Sequence, residues 1–405
     1  MKQVTMYKRV ALIALVGFSL AGCSTVKGWF AGKDAEAKKA QEPAELVDFT
    51  PSVKVDKLWS TGVGKGERRI GVRQRPVVAD GKVYAAAITG GVQALDLQTG
   101  KRVWEYEPKK EERNDRKFKQ RLSGGPGVGD GLVVIGTLSG DVIALNQADG
   151  VEKWRAKVPN EVITAPAVTQ GLVLVRSNDG RLTAFDATSG ERRWFHSEEG
   201  PTLTVRGNAP VIAGPGVVFV GNDSGTLSAL ALQDGRPLWE QAIGVPEGRT
   251  ELERMADVDG APVLEGTTLY ATSFKNETLA LEGPSGRPLW SRDHGGPGGP
   301  GVSSGNVVVA DNAGTVWGLD KASGAAMWSQ AALARRSLTG VAIQGDYAVV
   351  GDYKGYVHWL KLSDGALAAR ARAGRDTLLA QPVVADGILL VQNTDGDITA
   401  FRLAQ

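Results

Sequence analysis

The chain has 405 residues, with 47 Lys and Arg against 45 Asp and Glu, and it contains a single cysteine. This balance of charge excludes the strongly basic composition that is typical of nucleic-acid-binding proteins, and one cysteine excludes an internal disulfide and a multi-thiolate metal site. A chain of this length without a disulfide must derive its stability from a hydrophobic core.

The first 22 residues have the pattern of an export signal. Basic residues precede an apolar run, 10–21, which is shorter than the roughly 20 residues needed to span a bilayer. The run ends in LAGC at 20–23, and here the sequence resembles a bacterial lipoprotein precursor. The resemblance implies cleavage before Cys23, lipid such as palmitate on its thiol and, with Ser24 next, sorting to the outer membrane. An ordinary signal peptide with an incidental cysteine is the alternative.

The stretch from Cys23 to residue 52 is rich in Ala, Lys, Glu and Pro and has little apolar periodicity. This composition predicts a flexible tether between the lipid and a folded domain. An interfacial contact of Trp29 and Phe30 with the membrane is the alternative to simple disorder. Removing the signal's three basic residues from the 47 leaves 44 against 45 acidic residues, so the exported chain is close to neutral.

From residue 53 onward the chain is built of repeats that close with a Gly, three residues and a Trp. Successive Trp residues are 38 to 51 positions apart, a period typical of arrays of small supersecondary units. The six clear instances are Gly100–Trp104, Gly150–Trp154, Gly190–Trp194, Gly235–Trp239, Gly286–Trp290 and Gly324–Trp328.

The first complete unit predicts four short strands. One starts near Pro76, the next two cover 82–87 and 92–95, and the fourth contains Trp104. Each is rich in Val, Leu, Ile or Tyr and is bounded by Gly or Asp-Gly, which is typical of strands joined by tight turns. Later units align on the same turn glycines, except that the fifth has Asn276 where the others have Gly.

Two irregularities predict that the array closes into a ring. Ala369 replaces Trp in the seventh unit, and the eighth unit stops at Gln405 without a fourth strand. The segment 53–60 contains Trp59 but has no preceding strands of its own. If this strand completes the last unit, residues 53–405 form an all-β, eight-bladed β-propeller of four-stranded antiparallel blades. Each Trp would then lie on an outermost strand and wedge against the neighbouring blade.

The sequence predicts no catalytic, cofactor-binding or metal-binding residues. The histidines His196, His294 and His358 lie in different units, without the spacing of metal ligands, and no G-x-S-x-G elbow occurs. The glycine-rich run 295–301 follows no βαβ pattern and is read as turns. We therefore predict that the chain is not an enzyme and needs no cofactor.

The unit 94–104 resembles the tryptophan-docking repeat of pyrroloquinoline-quinone dehydrogenases, which are eight-bladed propellers. The resemblance concerns the blade scaffold. That family uses calcium ligands, a catalytic Asp, often a disulfide of adjacent cysteines, and long insertions around its active site. This chain lacks the cysteines and the insertions. A quinone-dependent dehydrogenase remains the alternative function, and a sugar- or peptidoglycan-binding propeller with aromatic residues in its central funnel is a third.

Long connectors between blades are the predicted places for function, because binding residues concentrate in loops on rigid scaffolds. Those after Trp59, Trp104, Trp194 and Trp239 span 17, 22, 16 and 23 residues to the next blade's Pro. The densely charged stretch 105–121 favours a solvated loop. The stretches 201–207 and 251–259 combine apolar and charged residues and predict an exposed protein-binding patch. Strand lead-ins with local salt bridges are the alternative.

Over its signal, tether and all eight blades the chain resembles the BamB family of outer-membrane assembly lipoproteins. The supporting motifs are LTVRG at 203–207 and DVD at 257–259. The resemblance implies a non-enzymatic scaffold of the β-barrel assembly (BAM) complex, lipid-anchored on the periplasmic face of the outer membrane. Its implied partners are the periplasmic domain of BamA, which is the membrane insertase, other BAM subunits and unfolded β-barrel clients.

The same resemblance assigns site residues. It places Leu203, Val205 and Arg206 in one half of the BamA contact, and Asp257 and Asp259 in the other. The family more commonly has Leu at the position of Val205, so the apolar contact is smaller in this chain. A basic residue near two acids can also pair internally and merely shape the loop, and this alternative stays open.

Overall fold

The computed structural model describes residues 42–66, 71–109, 120–198, 209–244, 249–250 and 256–404, and the backbone of 111–113 and 116–118. The chain divides into two units, Met1–Glu45 and Leu46–Gln405. Only residues 42–45 of the first unit are described, and Cys23 lies outside the described residues. In the described part of the chain, no helix is long and apolar enough to cross a membrane.

The second unit consists of β-strands throughout its described length. In chain order they are β1 Val55–Gly62, β2 Val77–Ala79, β3 Lys82–Ala86, β4 Val92–Asp96, β5 Arg102–Tyr106, β6 Glu111–Arg113, β7 Arg116–Phe118, β8 Leu122–Gly129, β9 Leu132–Thr137, β10 Asp141–Asn146, β11 Glu152–Lys157, β12 Ala167–Thr169, β13 Leu172–Arg176, β14 Arg181–Asp186, β15 Arg192–Ser197, β16 Ile212–Gly214, β17 Val217–Gly221, β18 Thr226–Ala231, β19 Pro237–Ala242, β20 Val263–Glu265, β21 Thr268–Thr272, β22 Thr278–Glu282, β23 Pro288–Arg292, β24 Gly301–Val302, β25 Asn306–Ala310, β26 Val316–Asp320, β27 Ala326–Gln330, β28 Ala342–Gln344, β29 Tyr347–Gly351, β30 Tyr356–Lys361, β31 Leu367–Arg372, β32 Val383–Ala385, β33 Ile388–Gln392 and β34 Asp397–Leu403.

Eight antiparallel sheets of four strands form the blades of a closed propeller. Blades one to seven are β2–β5, β8–β11, β12–β15, β16–β19, β20–β23, β24–β27 and β28–β31. Blade eight combines β32, β33 and β34 with β1, which pairs with β34 from Val55 opposite Leu403 to Gly62 opposite Asp397. The predicted eight blades, and their closure by the N-terminal strand, are confirmed.

Burial changes from the inner to the outer strands of each blade. All residues of β9 are buried, because neighbouring blades cover both faces of the sheet and a continuous apolar run is then favoured over alternation. In the outermost strand β11 only Trp154 is buried. The fifth blade follows the predicted turn pattern, since Asn276 takes the left-handed conformation, with φ 63°, that glycine takes elsewhere.

The Trp residues join each blade to the next, as the sequence predicts. Trp154 packs on the turn glycine Gly190 of blade three, where a Cβ atom would lie 2.7 Å from the indole. Its indole N–H donates a hydrogen bond of 2.9 Å to the carbonyl oxygen of Ala187. The same contact repeats for the pairs Trp59–Gly100, Trp104–Gly150, Trp194–Gly235, Trp239–Gly286, Trp290–Gly324 and Trp328–Gly365.

The topology explains why Ala369 stands where the other blades have Trp. An indole at this position would dock on the turn between the third and fourth strands of blade eight. That turn does not exist, because β34 and β1 come from opposite ends of the chain. Ala369 is instead only 3% exposed, in an apolar cluster with Phe401 and Val55. The break in the repeat is therefore a consequence of ring closure.

Two segments differ from their sequence-based description. Residues 46–52, assigned to the tether, contact blade seven: the Ser52 N–H donates to the Ala368 carbonyl at 2.9 Å, and the Arg370 guanidinium lies 5.1 Å from the Phe49 ring centre. The charged connector 105–121, predicted as a solvated loop, contains the hairpin β6–β7. Its charged sequence has little of the apolar alternation that marks a strand.

Candidate functional site: connectors and axial cavity

The connectors between blades lie across the turns that join the second and third strands. In the connector from blade four to blade five, the Val258 N–H donates to the Asn222 carbonyl of blade four at 3.2 Å. The Phe274 N–H of blade five donates to the Asp257 carbonyl at 2.9 Å. The same two bonds recur in two other connectors, where Val162 and Glu161 or Leu378 and Thr377 take the places of Val258 and Asp257. The connector main chain thus fixes two neighbouring turns.

The two predicted partner-binding acids are buried in this arrangement. Asp257 is fully buried and Asp259 is 5% exposed. The expectation that this part of 251–259 forms an exposed patch is wrong for these residues, because the connector inserts between two turns. The other predicted half of the contact, Leu203, Val205 and Arg206, lies outside the described residues.

A buried ion pair beneath the same connectors was missed by the sequence analysis. Arg176, at the end of β13, donates to the Gly221 carbonyl of blade four and lies 2.9 Å from the carboxylate of Asp223. Burial raises the pKa of Asp223, although the guanidinium acts in the opposite direction. The sequence contained one sign of this pair. Arg176 is a charged residue at the end of the buried strand β13, whereas the corresponding strands of blades four and five end in Gly221 and Thr272. The pair connects blades three and four.

A cavity of about 310 Å³ lies at the centre of the ring. All eight blades contribute to it, blade two through its first strand and the others through the segments that enter their first strands. These contributions are 71–75, Ser123 and Gly125, 163–165, Pro210, 259–261, 297–299, 337–340 and 378–381, in blade order. None of the described residues that line the cavity is aromatic, so none of them offers the aromatic face that a sugar-binding funnel would use.

Glycines of the run 295–301 form part of the cavity wall. A Cβ at Gly298 would lie 2.6 Å from the main chain of Gly340, and one at Gly260 would lie 2.7 Å from the Gly298 carbonyl oxygen. Such close approach of main chains requires glycine. The run therefore allows the entry segments of blades five, six and seven to meet at the axis.

Asp259 lines this cavity, and both oxygens of its carboxylate are buried without a hydrogen-bond partner among the described residues. Burial raises the pKa of Asp259 to about 6, while the positive charge of Arg73 acts to lower it. The Arg73 guanidinium itself donates to the Pro297 carbonyl at 2.8 Å. A buried, unsatisfied carboxylate is costly, so this one is unusual for a folded protein.

Arg75 lines the cavity from blade one, which is opposite blade five in an eight-membered ring. Its side chain is half-buried, and burial lowers its pKa. Within the described part of the chain we find no hydrogen bond or ion pair of its guanidinium. A fourth charged residue of the lining, Asp311, is satisfied by the Thr315 N–H at 2.8 Å and the Trp317 indole at 3.0 Å.

The buried carboxylate of Asp352, in blade seven, is paired. Asp352, fully buried, accepts a hydrogen bond from Arg336 Nε at 2.8 Å and lies 3.1 Å from His358 Nε2. Burial acts to raise the pKa of Asp352, but the hydrogen bonds from these two partners lower it overall. Among the described residues, no group of three or more His, Cys, Asp or Glu is arranged to hold a metal ion.

Solved structures confirm the architecture. BamB from Moraxella catarrhalis superposes with a TM-score of 0.76 over 86% of this chain and 100% of its own, at 24% identity. The quinohemoprotein alcohol dehydrogenase from Comamonas testosteroni superposes with a TM-score of 0.63 over 88% of this chain and 78% of its own, at 16% identity. At these identities both likenesses concern the fold, and the dehydrogenase is a distant relative of the scaffold only.

The sequence itself carries the closer relationship. The sequence model of the family described as outer membrane protein assembly factor BamB matches residues 56–116, 90–330 and 313–404. Outer membrane protein assembly factor BamB from Xanthomonas campestris pv. campestris is 91% identical over 405 residues, covering all of both chains. These relatives are assembly factors and not enzymes. This chain therefore belongs to the BamB family of outer membrane protein assembly factors.

Proposed function

We propose that this chain is a scaffold of the BAM complex that binds BamA and assists the insertion of outer-membrane β-barrel proteins. Lipid on Cys23 holds it on the periplasmic face of the outer membrane. The family relationship supports membership of the complex. The observation that carries the contact with BamA is that the connector bearing Asp257 fixes the turns of blades four and five. In the sequence, the LTVRG motif occupies the connector just before blade four.

Burial assigns Asp257 a positioning role in this proposal. A residue with no exposed surface does not meet a partner directly, so Asp257 acts by holding the shape of its connector. The Arg176–Asp223 pair holds blades three and four together below the same region. Leu203, Val205 and Arg206 supply the direct contact, and Asp259 contributes through the connector that it shares with Asp257. This agrees with the alternative in which the acids shape the loop.

Co-purification with BamA from detergent-extracted membranes tests this assignment. We expect Asp257→Asn to reduce the recovered BamA about tenfold, a loss of roughly 1.4 kcal/mol in binding. Glu161→Gln is the matched control, because Glu161 holds the equivalent position in the connector from blade two to blade three. Charge reversal of the two acids is unsuitable, because it would bury two unpaired guanidinium groups and unfold the region. Full recovery of BamA with both Asp257→Asn and Arg206→Glu would contradict the proposed contact.

A second role, direct contact with client strands, is favoured by the outer strands of blades four to six. They carry Leu238, Leu289 and Met327, which are 44%, 47% and 56% exposed. Within the sheets of the described structure these strands pair on one side only, so their outer edges offer free main-chain groups for β-augmentation. The corresponding residue of blade two is the charged Lys153, which is exposed.

Site-specific photo-crosslinking separates this role from a scaffold that only orients BamA. A photoreactive residue at Leu289 should capture unfolded outer-membrane proteins during their export, whereas one at Lys153 should not. Equal capture at both positions, or none at Leu289, would leave orientation of BamA as the function.

The lipid anchor is tested separately. Cys23→Ala should abolish palmitate labelling and move the protein from the membrane fraction to the soluble periplasm.

A further inference from the structure

We propose that the axial cavity is a binding site for a small zwitterion, a free amino acid or a short peptide, held between Asp259 and Arg75. The ammonium group binds the carboxylate of Asp259 on blade five. The carboxylate binds the guanidinium of Arg75 on blade one, across the axis. The site shares the connector of Asp259 with the proposed BamA contact, but its ligand is held in the axial cavity.

The cavity has the size and the lining of a small-molecule site. Its volume of about 310 Å³ is at the lower end of the range for ligand pockets, roughly 300–1,000 Å³. Apolar side chains such as Ile163, Leu378 and Ala380 form part of the wall, and a few charged groups converge on the space. An apolar wall with few polar groups is typical of sites that fix the orientation of a ligand.

Asp259 requires a donor that the described protein does not provide. Its two buried oxygens have no hydrogen-bond partner among the described residues, whereas the buried carboxylate of Asp352 has Arg336 and His358. Arg73, whose positive charge acts on Asp259, directs its guanidinium to the Pro297 carbonyl. An ammonium group carries three N–H donors and a positive charge, and it would satisfy both oxygens while compensating their charge.

Arg75 provides the opposite end of the site. Its guanidinium makes no hydrogen bond or ion pair within the described structure, and it projects from the segment that enters blade one. A guanidinium binds a carboxylate through two parallel hydrogen bonds, which are stronger than bonds between neutral groups. Arg75 and Asp259 line the same cavity, on the segments that enter blades one and five. A ligand with charges at both ends fits this arrangement better than a simple anion or cation.

Isothermal titration calorimetry of the full chain with glycylglycine tests the proposal. We expect saturable binding with one site, and no binding of N-acetylglycinamide, which lacks both charges. Asp259→Asn and Arg75→Gln should each weaken the affinity at least about tenfold, as for loss of a charge-assisted hydrogen bond. Glu161→Gln, outside the cavity, should bind like the natural sequence.

Proton release gives a second measurement that does not depend on the variants. An ammonium group beside Asp259 lowers the pKa of its carboxyl, so binding at pH 6 should release protons, and the observed heat should vary with the ionisation enthalpy of the buffer. Absence of saturable glycylglycine binding would overturn the proposal. Equal binding of acetate or methylammonium would overturn it as well, as would unchanged affinity in both cavity variants.

Discussion

The seams between blades and the axis of the ring differ in how their polar groups are used. At seven seams an indole packs on a turn glycine, and its N–H donates to a carbonyl of the next blade; the Trp194 bond to Leu232, of 3.0 Å, is one example. At the axis the eight blades supply unlike residues, and the Asp259 carboxylate has no partner within the described chain. At the seams the polar group of each repeated contact has a hydrogen-bond partner, whereas the Asp259 carboxylate at the axis has none among the described residues.

This difference separates stability from recognition. Identical seams need identical residues, so the Gly and Trp positions report on the assembly of the ring. A binding function is expected at positions where one blade differs from the others. Arg75, Arg176 and Asp259 are such positions. We therefore expect substitutions of seam residues to destabilise the protein strongly, and removal of the Asp259 charge at the axis to stabilise it.

The largest expected effect is at a seam. Trp194→Ala removes a side chain that is 9% exposed and leaves a cavity between blades three and four, so the free energy of unfolding should fall by about 3–5 kcal/mol. Urea denaturation followed by far-UV circular dichroism measures it. Trp194→Phe keeps most of the packing and loses the N–H donor, and should cost about 1 kcal/mol for the hydrogen bond. Similar losses in both variants would mean that packing does not dominate the seam.

A pair of glycines in blade two separates backbone strain from the seam contact. Gly131 and Gly150 have φ angles of 73° and 75°, but a Cβ at Gly150 would lie 2.5 Å from the Trp104 ring, and one at Gly131 meets nothing within 4 Å. Gly131→Ala should cost about 1–2 kcal/mol for the left-handed conformation. Gly150→Ala should cost about 1–3 kcal/mol more because it also displaces the indole. Equal urea midpoints for the two variants would show that the glycine is needed only for the turn.

At the axis the expected effect is smaller and has the opposite sign. Burial raises the pKa of Asp259 from its ordinary value of 3.8 to about 6, so the folded state binds a proton more readily than the unfolded state. The free energy of unfolding of the natural sequence should therefore decrease as the pH rises through this interval. Asp259→Asn removes that loss and should stabilise the protein by about 2–3 kcal/mol at pH 7.5, with little effect near pH 4.

Denaturation curves at the two pH values check this prediction, with Asp395→Asn, a variant of an acid outside the cavity lining, as the control. A destabilising effect of Asp259→Asn at pH 7.5 would show that the carboxylate has a partner in the folded protein. In that case the protein itself would supply the donor, and no ligand would be needed to satisfy Asp259. A stabilising effect confined to high pH would sharpen the contrast between the seams and the axis.

Much of the fold follows from the sequence because the blade is a local and repeated pattern. The strand runs, the turn glycines, Asn276 in place of one of them and the unpaired strand around Trp59 were enough to predict eight blades and their closure. The hairpin β6–β7 was not predictable, because its charged residues lack the apolar alternation of a strand. The contacts of residues 46–52 with blade seven depend on a non-local pairing that their composition does not indicate.

By itself, the sequence determined the blade count, the ring closure and the family, because these depend on spacing along the chain and on similarity to relatives. The tertiary structure alone decided the environment of individual charges. Asp257 and Asp259 read as surface acids in the sequence, and the turns of two neighbouring blades bury them. Arg75 and Asp259 are far apart in the chain and line one cavity because the closed ring brings segments of all eight blades to the axis. Burial and pairing of a charge depend on which distant segments cover it, and a local pattern does not contain that information.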